Sequence, residues 1–118
     1  MQAQLNALLE RHCKTIKASV TTLGLQLAAI AEGSPAEPLA AIEEAEALAH
    51  QLKGSTGTAG FHDLCRAATA LDEHLKTLSA GDARSVAAGM GEAKRLFESL
   101  DQAARAATPS ASSLYGTV

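Results

Sequence analysis

The hydrophobic residues of this chain recur every three or four positions in four separate stretches. This spacing is the period of an amphipathic α-helix, so the pattern predicts four helices. They extend approximately from Leu5 to Gly33, from Pro35 to the glycines at positions 54–60, from Phe61 to Ser79, and from Asp82 to Ala107. The residues expected to face the core include Leu5, Leu8, Leu9, Ile16, Val20, Leu23, Leu27 and Ile30 in the first helix, Leu39, Ile42, Ala45, Ala49 and Leu52 in the second, Leu64, Ala68, Leu71, Leu75 and Leu78 in the third, and Val86, Met90, Ala93, Phe97, Leu100 and Ala104 in the fourth.

Turn signals mark where these helices begin and end. The run Ser34-Pro35-Ala36-Glu37 predicts the start of the second helix, with Ser34 as the cap and Pro35 at the first helical position. Asp82 is a good cap for the fourth helix. After residue 107 the chain is rich in serine and alanine and contains a proline, which is typical of a frayed terminus. We therefore expect a domain over residues 1–107 and a flexible C-terminal tail over residues 108–118.

The composition supports a helical fold. Hydrophobic residues make up 47% of the 118 residues, but only 3% are aromatic, and alanine and leucine dominate. A sheet would be richer in valine, isoleucine and aromatic residues. Four amphipathic helices joined by short turns predict an all-α fold, an antiparallel up-down four-helix bundle.

Charge and cysteine content narrow the possible functions. The net charge is −3 with mixed signs, so there is no basic face for nucleic acid. No apolar run is long enough to span a membrane, and the N-terminus lacks a signal-peptide pattern. Cys13 and Cys65 have no disulfide-framework spacing. These features predict a soluble cytoplasmic protein.

Chemistry-bearing residues concentrate near the end of the second helix. On a helix, His50, Lys53 and Gly57 lie along one edge together with Glu43 and Glu46, while the apolar residues point to the other side. This places a histidine on the exposed edge, a cation one turn away and a bare patch beyond. Such an arrangement suits an imidazole that carries an anion and is approached by another protein.

The order of these residues resembles that of a known family. His50, Lys53-Gly54, Gly57 and Gly60, followed by a helix with Leu64 and Leu71-Asp72, is similar to a histidine-containing phosphotransfer (HPt) domain. The resemblance implies a four-helix bundle that carries a phosphoryl group on a histidine between receiver-domain aspartates.

The resemblance also implies roles for particular residues. His50 would be the phosphoacceptor and Lys53 the cation beside the phosphoryl group. Gly57 would let the acidic pocket of a receiver domain come close, and Glu46, Gly54 and Gly60 would belong to the same partner-binding surface. The implied partners are a response-regulator receiver domain and a hybrid sensor histidine kinase, and we expect a monomer.

General chemistry is consistent with these roles. Neutral imidazole is a good nucleophile near pH 7. Lys53 can offset the nearly two negative charges of a phosphoryl group. Folding the third helix back antiparallel brings positions 68–72 level with His50, so Asp72 is expected to accept a hydrogen bond from the second ring nitrogen, with Thr69 as the substitute.

Several features of a complete enzyme are missing from the sequence. It has no glycine-rich phosphate loop and no plausible Mg²⁺ cluster, which predicts a carrier that needs no cofactor and is not an enzyme. His62 and Cys65 are spaced by three, but no second pair completes a metal site, and His74 is expected to be solvated. Two alternatives stay open. The chain could be a scaffold that binds a receiver or kinase without transfer, or the histidine-bearing domain of a chemotaxis-type kinase.

Overall fold

The computed structural model describes residues 2–115, and in this range it contains helices and no strand. The helices are α1 (Gln2–Ala31), α2 (Pro38–Thr58), α3 (His62–Ser79) and α4 (Ala83–Arg105), followed by a 3₁₀ turn over Pro109–Ala111. The predicted all-α fold with four helices is therefore confirmed.

The helices pack side by side into an elongated bundle. α2 packs against α3, α3 against α4, and α1 against both α2 and α4. The molecule measures 51 × 20 × 19 Å, and α1, at 30 residues, spans about 45 Å of this length. Short turns join the helices, which is consistent with the predicted antiparallel order.

The core is built from the predicted stripes. Its most deeply buried side chains include Leu9, Ile16, Leu23, Ile42, Leu71, Leu75 and Leu100. Four residues differ from the prediction. Leu8 is exposed, because Leu9 takes the inward position in that turn of α1. Leu5, Leu39 and Phe97 are only half-buried and pack against the edge of the core.

The start of α2 differs from the prediction. The helix begins at Pro38, and Ser34 lies in the preceding turn. Glu37 is the N-cap residue and makes no side-chain capping bond. A residue that precedes proline is disfavoured in the helical region, and Glu37 takes φ −122° and ψ 88°. A helix that started at Pro35 could not continue through this residue, so the predicted Ser34–Glu37 capping box is wrong.

The end of α2 lies among the glycines, as predicted. Gly60 has φ +81°, a conformation that favours glycine. Its N–H donates to the Gly57 carbonyl at 3.2 Å, and the N–H of Phe61 donates to the Thr56 carbonyl at 2.8 Å. This pair of bonds is a Schellman motif, which satisfies the last carbonyls of the helix and turns the chain directly into α3.

The segment after α4 is more ordered than the sequence suggests. Ser112 is buried, and its Oγ donates to the Ala59 carbonyl at 2.5 Å. The N–H of Ser113 donates to the Gly60 carbonyl at 2.9 Å. These two serines therefore cap the α2–α3 turn, and the flexible tail over residues 108–118 stays a prediction. Residues 116–118 lie outside the described residues, and the domain boundary after residue 107 stays a prediction.

Within residues 2–115, no helix is both long enough and apolar enough to cross a membrane.

Candidate functional site

His50 lies in the C-terminal half of α2 with its side chain 60% exposed. Its Nδ1 is 3.2 Å from Oδ2 of Asp72 on α3. A carboxylate accepts hydrogen bonds, so in the neutral ring the proton resides on Nδ1 and the lone pair on Nε2. The structure thus contains an exposed imidazole whose tautomer is set by a neighbouring helix.

Asp72 is fully buried and is shared by two partners. Nζ of Lys76, one turn later on α3, lies 3.4 Å from Oδ2, the same oxygen that faces His50. The other oxygen, Oδ1, is buried without a hydrogen-bond partner. Burying a carboxylate is unfavourable unless positive groups surround it, so Asp72 favours both a proton on Nδ1 and the ammonium of Lys76.

Glu46 completes the cluster from one turn before His50. Ligand atoms of Glu46, His50 and Asp72 all lie within 4.8 Å of one another. A hydrogen bond to Asp72 raises the pKa of Glu46, and burial and the charge of Asp72 act in the same direction. Burial alone would raise the pKa of Asp72, but hydrogen bonds to Glu46, His50 and Lys76 outweigh it and hold that pKa below its ordinary value. Of the two carboxylates, Asp72 therefore stays ionised to lower pH, and Glu46 takes up a proton first as the pH falls.

Lys53 follows His50 by three residues and is half-buried. Among the described residues its ammonium forms no ion pair within 4.0 Å, so it can approach an anion at the histidine. Thr69, considered as the substitute for Asp72, donates its hydroxyl to the Cys65 carbonyl at 2.7 Å. The observed contact to His50 comes from Asp72.

The three glycines have different surroundings. A Cβ atom at Gly54 would meet nothing within 4 Å, and one at Gly57 would lie 3.2 Å from Sγ of Cys65. Gly60 is buried, and a Cβ there would overlap Ser112 and Ser113. The structure does not support the assignment of Gly60 to a partner-binding surface, because this glycine serves the turn between α2 and α3.

His74 also differs from its prediction. It is half-buried, and Nε2 donates to the carbonyl of Gly89 on α4 at 2.9 Å. The expectation of a solvated side chain is wrong, and this histidine joins α3 to α4.

Sequence reasoning missed the contacts that Lys76 and Glu46 make with Asp72. Lys76 follows Asp72 by four residues, and Glu46 precedes His50 by four, so each lies one helical turn from a residue already singled out. That spacing was the available signal, but it could not show which charged side chains turn toward the buried carboxylate.

Comparison with known proteins assigns the chain to a family. The family model described as the Hpt domain matches residues 3–107. The searches of curated proteins and of solved structures gave no match. Hpt domains are helical phosphocarriers of two-component phosphorelays. With a match over nearly its whole length, an all-helical fold and an exposed histidine, this chain belongs to the Hpt domain family.

Proposed function

We propose that His50 accepts a phosphoryl group from the aspartyl phosphate of a receiver domain and passes it to the aspartate of another. The observation that carries this proposal is the His50–Asp72 pair, in which an exposed ring is held at Nδ1 by a buried carboxylate. With the proton on Nδ1, Nε2 offers its lone pair on the solvent side, where a second protein can reach it.

The transfer is a displacement at phosphorus. Nε2 forms the new N–P bond while the P–O bond to the receiver's carboxylate breaks, and the carboxylate leaves with the bonding pair. The ring keeps its Nδ1 proton and gains positive charge. The ionised Asp72 next to Nδ1 stabilises that charge, and the reverse step to a second receiver returns the ring to its neutral form.

The surroundings of His50 suit the incoming group. Lys53 is one turn away and free of ion pairs among the described residues, so it can offset charge on the phosphoryl oxygens. An exposed pair of this kind contributes about 1 kcal/mol or less. Gly54 and Gly57 leave the surface beyond His50 low, which allows a receiver's aspartate to approach in line.

The remaining machinery would come from the partners. Receiver domains supply the acceptor aspartate and its metal, and a hybrid sensor histidine kinase is the proposed source of the phosphoryl group. A carrier shared between partners needs only a modest, transient interface. We propose that the protein works as a cytoplasmic monomer.

Transfer from a receiver loaded with radiolabelled phosphate tests the proposal. The wild type should acquire label that is lost in acid and retained in base, as expected for a phosphorus–nitrogen bond. His50→Gln should acquire none, while His62→Gln, which removes an exposed histidine at the start of α3, should behave as the wild type. If His50→Gln still acquires label, His50 is not the phosphoacceptor.

The same experiment separates the alternatives. Binding of a receiver without label would indicate a scaffold. Label acquired from a kinase that lacks any receiver would indicate the histidine domain of a chemotaxis-type kinase.

A further inference from the structure

The cluster around His50 has the composition of a transition-metal site. Glu46, His50 and Asp72 present one imidazole nitrogen and two carboxylates within 4.8 Å of one another, and no other such group of three was found in residues 2–115. Two of the three lie one turn apart on α2, and the third comes from the facing helix. This is a common way to hold a metal between helices.

The buried carboxylate provides independent support. Asp72 is 0% exposed, yet Oδ1 has no hydrogen-bond partner, while its two contacts to His50 and Lys76 both use Oδ2. A buried acceptor of this kind calls for a positive or donating group. Glu46 can donate a hydrogen bond to Asp72 only in its protonated form, and when both side chains are ionised the two carboxylates repel each other. A cation held between them would satisfy both.

We propose that Glu46, His50 and Asp72 bind Zn²⁺, and that the bound ion prevents His50 from accepting a phosphoryl group. The second part rests on the proposed function. Imidazole favours zinc over magnesium, which prefers an all-oxygen octahedral shell. Ligand atoms around a tetrahedral zinc lie about 3.4 Å apart, and the His50 Nδ1–Asp72 Oδ2 separation is 3.2 Å. An ion that binds both oxygens of Asp72 also gives the unpartnered Oδ1 a positive partner. The exposed side of His50 leaves the fourth position to water.

Mutual exclusion follows from the electrons of the ring. A neutral imidazole has one lone pair in the ring plane available for bonding. When Zn²⁺ takes it at Nδ1, the ring proton must reside on Nε2, and Nε2 is then no longer a nucleophile. When Nε2 carries a phosphoryl group, Nδ1 can bind the metal only after it releases the proton that the ionised Asp72 holds there. The two forms of the site therefore compete.

Lys76 opposes the metal, and this provides a further test. Its ammonium is 3.4 Å from Oδ2 of Asp72 and its side chain is 50% exposed, so it can swing into solvent when the ion binds. Lys76→Met removes the competing charge and should strengthen zinc binding several-fold.

Isothermal titration of the unphosphorylated full chain with ZnCl₂ tests the site without any phosphotransfer. We expect one site that is more than about tenfold weaker in Glu46→Gln and in His50→Gln, unchanged in His62→Gln, and silent toward Mg²⁺. Asp72→Asn should show the same loss, with circular dichroism confirming its fold. The proposal would be overturned if the wild type bound no zinc, or if Glu46→Gln and His50→Gln bound zinc as tightly as the wild type.

A second arm tests the competition. Saturating Zn²⁺ should reduce the labelling of wild-type His50 by a receiver more than tenfold, and a zinc-selective chelator should restore it. At a Zn²⁺ concentration that saturates the wild type but not Glu46→Gln, this variant should be labelled equally with and without Zn²⁺, which excludes an effect of zinc on the receiver. If Zn²⁺ does not change the labelling of the wild type, the proposed competition is refuted, while the proposed metal site is not. A protein that is never labelled would refute the proposed function, while the titration would still decide the metal site.

Discussion

Nδ1 of His50 lies 3.2 Å from Oδ2 of Asp72, yet the histidine side chain is 60% exposed and the aspartate is completely buried. The pair thus joins an exposed imidazole to a buried charge that water screens poorly. A charge in such a position acts more strongly on the ring than a surface carboxylate would. The reactivity of His50 should therefore depend on α3 as much as on α2.

Removing the carboxylate should slow transfer without abolishing it. Asp72→Ala deletes both the acceptor for Nδ1 and the negative charge, and a hydrogen bond between charged groups contributes about 1.5–3 kcal/mol. We expect transfer from a receiver to slow by about tenfold or more, measured by rapid quench. Asp72→Asn keeps an oxygen for Nδ1 but loses the charge, so its rate should be intermediate. Thr69→Ala is the control on the same helix, and unchanged rates in Asp72→Ala would show that the contact has no role in transfer.

Lys53 should influence the rate only moderately. A surface cation beside the phosphoryl group contributes about 1 kcal/mol or less, so Lys53→Ala should reduce the transfer rate by about fivefold at low salt. Lys53→Arg should restore most of the rate, because the positive charge returns. Lys94→Ala removes an exposed lysine from α4 and controls for net charge. An effect of equal size in Lys94→Ala would mean that long-range charge, and not the position of Lys53, is responsible.

The His50–Asp72 contact could be anticipated because it follows from a helical hairpin. The two residues lie eleven positions on either side of Phe61, where α2 turns into α3. Helical periodicity and the glycine turn were therefore enough to bring them level. The packing of the inward stripes followed from the same period.

Other features depend on contacts that a local pattern cannot reveal. The bond from Ser112 to Ala59 joins residues 53 positions apart, and the bond from His74 to Gly89 crosses between helices. Their side chains are small or polar and carry no signal in the hydrophobic pattern. The start of α2 was missed for a local reason, since two prolines competed and the second, Pro38, restricts the residue before it.

Two glycines of α4 should respond in opposite ways to alanine. A Cβ at Gly91 would meet nothing within 4 Å, so Gly91→Ala should raise the free energy of unfolding by about 0.5–1 kcal/mol through helix propensity. A Cβ at Gly89 would overlap the buried side chain of Leu78. Overpacking of this kind costs about 1–3 kcal/mol, so Gly89→Ala should be less stable than the wild type. Urea denaturation measures both, and equal gains in the two variants would contradict the close packing of α3 on α4.

Asp82 should make stability depend on pH in the acid range. Hydrogen bonds from the N–H and then the hydroxyl of Ser85 hold the pKa of Asp82 below its ordinary value. A lowered pKa in the folded state means that the cap stabilises α4 above the ordinary pKa and that this contribution is lost as the pH falls from about 4 downward. Asp82→Asn retains a capping side chain. Thermal unfolding from pH 7 to pH 2.5 should therefore show a smaller acid loss in Asp82→Asn than in the wild type, whereas the surface control Asp63→Asn should follow the wild type.

The buried hydroxyl of Ser112 should contribute to the stability of the whole bundle. It donates to the Ala59 carbonyl at the end of α2 and accepts from the N–H of Leu114 at 3.1 Å. Ser112→Ala leaves this buried carbonyl without that donor, so the free energy of unfolding should fall by about 1 kcal/mol in urea. Ser113 is exposed and bonds to Gly60 through its backbone, so Ser113→Ala should change little. Equal stability of Ser112→Ala and Ser113→Ala would show that the C-terminal segment does not hold the turn.

The same variant should also affect the site. The turn that Ser112 caps sets the register of α2 against α3, so Ser112→Ala should make the His50–Asp72 pair more mobile, which ¹⁵N relaxation of the His50 ring can measure.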